Sequence, residues 1–390
     1  MRRSVVTSGA GQALKILSFG TYDVRTHPRC GVLVEGFRAL GDEVVEVNVS
    51  LGIGTAGRVA MLRQPWRLPQ LAVRLAWCWG VLAWRGRQAF RRHHPDIVLV
   101  GYLGHFDVQL ARQLFRRTPI VLDHLLFAAD TARDRGETGT WKGRLLDGLD
   151  RAALRAADVV LLDTDEHLDL VPADLVDRAV VVPVGAPQAW LAAGADRPAE
   201  ASDRGQPLRV AFFGLFTPLQ GTPVIGAALG ALSRDHRVRA TMVGNGQDLA
   251  ETRRLARGNP YVEWRDWVPS ADLPALVAGH DVCLGIFGTG PKARRVVPNK
   301  VYQGAAVGSA VVTSDTPPQR AALDEAAAYV PAGDPLALAD VLRELASDPV
   351  ALAKLRAAAS DRARERFTPQ AVVAPLRERL VAVMAGRLQR

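Results

Sequence analysis

Short apolar runs alternate with longer segments of helical periodicity along most of the chain. KILSFG (15–20), EVVEVNV (43–49), DIVLVG (96–101), PIVLD (119–123), DVVLLD (158–163) and AVVVPVG (179–185) form a first set. LRVAFFG (208–214), VRATMVG (238–244), YVEW (261–264), DVCLGIF (281–287), SAVVTSD (309–315) and AAYVPAG (327–333) form a second. Their nearly continuous hydrophobicity is that of parallel strands covered on both faces. Helices are expected between them. CGVLVEGFRALG (30–41) ends on Gly41, a residue suited to a left-handed C-cap. Asp334-Pro335 supplies an N-cap with proline at the first helical position.

Two successive βα sets predict an α/β fold of two doubly wound domains, with ligands beyond the carboxyl ends of the strands. The chain has 390 residues, more than one ordinary core accommodates. APQAWLAAGADRPAEASDRGQP (186–207), rich in Ala, Pro, Asp and Gly, reads as the break. The expected division is a lead over 1–14, a first domain over 15–190, a linker over 191–207 and a second domain over 208–368. The segment 369–390 is a helix with no strand to follow, placed to pack back on the first domain.

Composition narrows this picture without choosing a partner. Hydrophobic residues make up 48% and charged residues 23%, which are globular values. A formal charge of +9 favours anionic partners. The three cysteines, Cys30, Cys78 and Cys283, show no C-x-x-C spacing, so neither a zinc site nor a disulfide framework is indicated. A reducing cytoplasm is expected. The N-terminus is basic but lacks the apolar core of a signal peptide. LAVRLAWCWGVLAW (71–84) is shorter than a membrane span needs and is interrupted by Arg74. Around it, residues 63–94 interleave arginine with Trp66, Trp77, Trp79 and Trp84, a pattern suited to contact with the headgroups of a membrane surface, here its inner face.

The chemistry concentrates at predicted strand ends. GIFGTGPKAR (285–294) misses a P-loop, because Pro291 precedes the lysine and Ala293 replaces the Ser/Thr. VGNGQDL (243–249) lacks the third glycine of a dinucleotide fingerprint. GTGPKARRVVPNK (288–300) sets Lys292, Arg294, Arg295 and Lys300 before a helix that Asn299 is expected to cap. Cations there oppose the helix dipole unless an anion joins them, and a helix N-terminus offers that anion free N–H groups. Gln303 shares a face with Lys300. In FFGLFTPLQGTPVIG (212–226), Gly214 ends a strand and Gly221 precedes a helix, where it allows backbone to approach a ligand. His105 follows a first-domain strand and is expected to face the cleft. Asp123-His124 and DTDEH (163–167) are further polar strand ends.

From FFGLFTPLQG to YVPAGD (212–334) the chain resembles the nucleotide-sugar domain of retaining glycosyltransferases of family 4. SFGTYDVRTHPRCG (18–31), DIVLVGYLGH and ADVVLLDTDEH are similar to the first half of that family. The resemblance implies the GT-B fold, two Rossmann-like domains facing a cleft. It implies transfer of a sugar from a nucleotide diphosphate sugar with retention of anomeric configuration. The acceptor would be a glycan, a lipid-linked molecule or a small molecule. Neither metal nor other cofactor is expected, and no nucleic-acid partner. The family's glutamate pair falls here on Arg295 and Gln303, and its two diphosphate cations fall on Leu215 and Gln220. A variant subgroup with a K-x-x-R-V-x-P-N-K loop fits 292–300. Relocation of the grip is therefore expected: Lys292, Arg295 and Lys300 on the diphosphate, Asn299 capping the helix, Gln303 on the ribose and His105 on the sugar. The other readings are a nucleotide-sugar epimerase of the same fold and a non-enzymatic binder of nucleic acid or anionic glycan.

Overall fold

A computed structural model describes residues 13–22, 27–52, 68–134, 140–196 and 206–388. The expected lead over 1–14 falls almost wholly outside these residues. The first unit runs β1 (Lys15–Gly20), α1 (Pro28–Ala39), β2 (Glu43–Asn48), α2 (Leu68–His93), β3 (Ile97–Val100), α3 (Asp107–Leu114), β4 (Ile120–Asp123), α4 (Ala128–Asp134), α5 (Thr140–Ala156), β5 (Val159–Leu162) and β6 (Ala179–Val181). The second begins with α6 (Gln188–Ala195), β7 (Leu208–Phe213), α7 (Thr222–Ala231), β8 (Val238–Val243), α8 (Leu249–Leu255) and β9 (Val262–Arg265). It continues through α9 (Leu273–Ala278), β10 (Val282–Leu284), α10 (Asn299–Ala306), β11 (Ala310–Ser314), α11 (Pro317–Leu323) and β12 (Ala327–Val330). Three helices close the chain: α12 (Pro335–Ser347), α13 (Pro349–Arg362) and α14 (Pro369–Leu388).

Each unit holds one six-stranded sheet, ordered β2-β1-β3-β4-β5-β6 and β12-β11-β10-β7-β8-β9, with every pairing parallel. Strand alternation divides the side chains between two apolar layers. In the first unit Ile16, Leu99 and Val121 pack under α1 and α14, while Leu17, Phe19, Val98 and Val100 pack under α2, α3 and α5. In the second, Phe212 and Leu284 meet α7 and α12 on one face. Phe213 and Cys283 meet α6 and α10 on the other. Edge strands β2 and β9 are less buried than the central strands β3, β4 and β5: β2 buries Val44 and Val47, and β9 buries none of its four residues fully.

Two crossings join the units. α6 occupies the start of the segment expected as a linker, because Trp190 is buried there and stacks on Phe213 at 5.4 Å. Residues 197–205 of that segment lie outside the described residues. α14 returns from the second unit to the first, seating Val372, Val373, Leu376 and Leu380 against α1 and the sheet. Gly36 permits that approach, since a Cβ on it would stand 2.2 Å from the Pro369 carbonyl oxygen.

Candidate active site

Two βα loops of the second unit meet at the carboxyl ends of adjacent strands β7 and β10. After β7, Gly214 adopts φ 131°, and Gly221 adopts φ 63° before α7. The reason for Gly221 differs from the expected approach to a ligand. A Cβ there would lie 2.3 Å from the Phe287 carbonyl carbon, so the glycine admits the chain's own backbone. Phe287 N–H donates to the Gln220 carbonyl oxygen at 3.0 Å, tying the two loops together.

Lys300 stands at the centre of this junction, in the first turn of α10. The helix starts one residue earlier than expected: Asn299 is its first residue and Pro298 holds the cap position, with no side chain capping it. Pro298 is extended at φ −74°, ψ 154°, as the end of an incoming loop must be. Lys300 is 5% exposed. Its Nζ donates to Gln220 Oε1, lies 3.7 Å from the centre of the Phe212 ring, and would be 3.3 Å from a Cβ on Gly214. Among the described residues no carboxylate pairs with it. Burial pushes its ammonium down to about 7, a shift the buried Cys283 beneath it only partly opposes. Gln303 is buried one turn further along the same helix.

Lys292 and Arg295 find partners in the first unit instead of beside Lys300. Lys292 Nζ donates to Thr131 Oγ1 at 2.8 Å, and Arg295 forms an ion pair with Asp130. Thr131 and Asp130 are on α4 of the first unit, so these two cations cross the cleft. Thr164 Oγ1 donates to the Arg295 carbonyl oxygen at 2.6 Å and holds the same loop from another first-unit strand end. The expected cluster of three cations is thus one buried lysine beside an interdomain latch. Arg294, the fourth cation, is exposed.

The first unit presents a buried polar cluster at the end of β4. His105 is 6% exposed, and its Nε2 bonds Asp150 Oδ1 at 2.8 Å. That nitrogen is committed within its own domain and is not free for a sugar. His124 lies beside it, ring centres 4.9 Å apart, with Nε2 buried and without a hydrogen-bond partner. Burial first, then the neighbouring His105, pushes His124 down to about 3, so its imidazole is neutral. Arg29 Nε donates to Asp123 Oδ1 at 2.7 Å, leaving Arg29 Nη2 and Asp123 Oδ2 also unpartnered. His105, His124 and Asp150 bring three ligand atoms within 4.8 Å. Asp150 Oδ1 already accepts from His105 and the Ala128 N–H, and Oδ2 from the Ala129 N–H, so hydrogen bonding accounts for this carboxylate. The strand-end position of His124 was visible in the sequence; its unsatisfied nitrogen was not.

Residues 226–378 match a family model described as "Glycosyl transferase-like". No curated protein sequence matches the chain. Among solved structures, sucrose-phosphate synthase from Thermosynechococcus elongatus superposes with a TM-score of 0.66 at 14% identity, covering 96% of this chain and 100% of that one. Anabaena HepE in complex with UDP-glucose gives 0.63 at 15%, over 95% and 100%. Trehalose 6-phosphate synthase from Burkholderia multivorans gives 0.63 at 15%, over 97% and 100%.

The fold is GT-B. The β7 and β10 loops, Lys300 and the α10 N-terminus lie beyond the carboxyl ends of strands β7 and β10 of the second sheet. His105 and His124 follow strand ends of the first sheet, beyond β3 and β4.

Proposed function

We propose that the protein transfers a sugar from a nucleotide diphosphate sugar to an acceptor, with retention of anomeric configuration. The observation that supports this best is Lys300: a buried amine with no carboxylate partner among the described residues, at a helix N-terminus, beyond the carboxyl ends of two parallel strands. An isolated buried ammonium is costly, and an anionic ligand removes that cost. The glycosyl transferase-like match over 226–378 supports a diphosphate as that anion.

As the glycosidic bond breaks, the departing diphosphate gains negative charge while the sugar becomes oxocarbenium-like. Lys300 and the N-terminal N–H groups of α10 stabilise that charge more in the transition state than in the ground state. This reading assigns the charge to protein groups and needs neither metal nor other cofactor. Gln220 aims Lys300, and Gln303 bonds the ribose as a neutral amide. His124 meets the sugar through Nε2, and His105, fixed by Asp150, positions it. Lys292 and Arg295 hold the domains closed and exclude water. The acceptor, whether glycan, lipid-linked or small molecule, enters from the first domain. Cys30, Cys78 and Cys283 are buried free thiols, in keeping with a reducing cytoplasm.

A thermal-shift panel of UDP, GDP, ADP and dTDP tests the donor assignment. A ligand at 100 times its Kd stabilises by about 2.7 kcal/mol, so the true nucleotide stands apart from the others. Proton NMR of the glycoside formed then tests retention: an anomer opposite to that of the donor sugar contradicts it. A donor sugar altered without an acceptor would instead favour epimerase chemistry.

A further inference from the structure

Helix α2 carries a surface that glycosyl transfer does not use. Its inner face packs on the first sheet: Cys78 and Leu82 are buried, and Gly86 faces Phe19 and Phe115 closely. Trp79 belongs to that inner side, donating its Nε1–H to Asp107 Oδ1 at 3.0 Å. Part of the tryptophan–arginine pattern is therefore core packing, and Trp66 lies outside the described residues.

The outer face is different. Val73 is 72% exposed, Trp77 64% and Trp84 66%. At about 100° per residue these three fall within ~40° of one another, and Arg91 continues the same line. Arg74, Arg85, Arg87 and Arg92 flank it, all exposed, and the sequence 68–93 contains no acidic residue. α3 and α5 lie in the same layer over the sheet. They extend the surface with Phe106, just before α3, and with Trp141 and Leu145 on α5, beside Lys142 and Arg144. Asp147, the first acid on α5, is occupied by Arg133 at 3.0 Å. Three of the four exposed tryptophans among the described residues sit in this layer; Trp267 is the fourth.

Exposed tryptophans lined by arginines, with no acid among them, match the headgroup region of an anionic bilayer. There the rings sit at the interface and the guanidinium groups meet lipid phosphates. A bilayer offers phosphates along the whole length of this face, whereas a protein partner would have to supply a matching acid for each arginine. No helix among the described residues is long and apolar enough to cross a membrane.

We infer that the outer face of α2, with the start of α5, docks the first domain on an anionic lipid surface. The occupant is the bilayer itself. A lipid-anchored acceptor would then reach the cleft from that surface, a consequence that rests on the glycosyl-transfer reading; the docking does not.

The test is sedimentation of the whole protein with vesicles of phosphatidylcholine alone and of phosphatidylcholine mixed with phosphatidylglycerol. Wild type should pellet with the mixed vesicles. Salt at about 1 M, where the Debye length is ~3 Å, should release it. At roughly 1 kcal/mol per cation near the surface, the triple variant R85Q/R87Q/R91Q should partition about 100-fold more weakly. W77A/W84A should also weaken partition, which a purely electrostatic attraction would not require. The nucleotide-induced thermal shift should be unchanged in both variants, which shows that they fold and separates failure of docking from failure of the donor assignment. Wild type that stays in the supernatant with mixed vesicles overturns the inference. So do variants that pellet like wild type, or a protein that binds a DNA oligonucleotide in preference to the vesicles.

Discussion

The site turns on the difference between a cation that has found its partner and one that has not. Lys292 and Arg295 are paired within the protein, whereas among the described residues Lys300 meets the neutral Gln220 and an aromatic face and no carboxylate. Its native value of about 7 lies below the ordinary 10.5, so the unfolded chain binds more protons between those values. Stability contributed by the neutral amine is therefore present at high pH and lost as pH falls towards 7. We predict that urea unfolding of the free protein shows higher stability at about pH 9 than near pH 7, and that Lys300→Met reduces the difference. Lys300→Met should also cost about 2.7–4 kcal/mol of barrier, as loss of one oxyanion donor does. His124 makes a contrasting prediction. Replacement by alanine should lower kcat while leaving nucleoside diphosphate affinity unchanged, measured by titration of the nucleotide alone, because His124 belongs to the other domain. Loss of nucleotide binding in that variant would contradict its placement on the sugar. None of this pairing was legible in the sequence. A run of four cations looks uniform until α4, far away in the chain, claims two of them.

At the scale of elements the sequence was more legible. The strands announce themselves as apolar runs because parallel strands are buried on both faces, and Asp334 caps α12 as its position before Pro335 implies, accepting from Leu336 N–H and Ala337 N–H. Where propensity and packing compete, packing wins. The Ala-rich start of the expected linker folds as α6 because Trp190 finds a place on Phe213. Gly221 was legible as a special glycine, but its partner was not: the backbone it admits belongs to Phe287, in a loop remote in sequence. Gly221→Ala should cost at least about 1–3 kcal/mol for the left-handed conformation alone, with the backbone overlap added. Thermal denaturation and nucleotide binding should fall together in this variant. A stable protein that no longer binds nucleotide would mean that Gly221 serves the ligand directly.

For the whole molecule, two kinds of link decide how the domains sit. α6 and α14 bind them permanently through apolar burial, while the loop 292–295 joins them through polar contacts that a ligand can replace. Removing one partner of the Arg295–Asp130 pair leaves the other partly buried and unpaired, at about 1–3 kcal/mol. Asp130→Ala should therefore open the cleft, seen as a larger radius of gyration in small-angle scattering of the free protein. An unchanged radius would show that the helices alone fix the domains. The order of domains was readable from two sets of strand signals; the latch was not, because it joins positions 165 residues apart. The claim that binds these scales together is that a nucleoside diphosphate completes the charge at Lys300. Calorimetric titration of UDP, GDP, ADP and dTDP at about pH 8, in buffers of different ionisation enthalpy, tests it most directly. The account predicts that one nucleotide binds with net proton uptake, as the diphosphate restores the charge on the amine, and that Lys300→Met loses both the affinity and the uptake. Equal binding by wild type and variant, with no proton taken up, would contradict it.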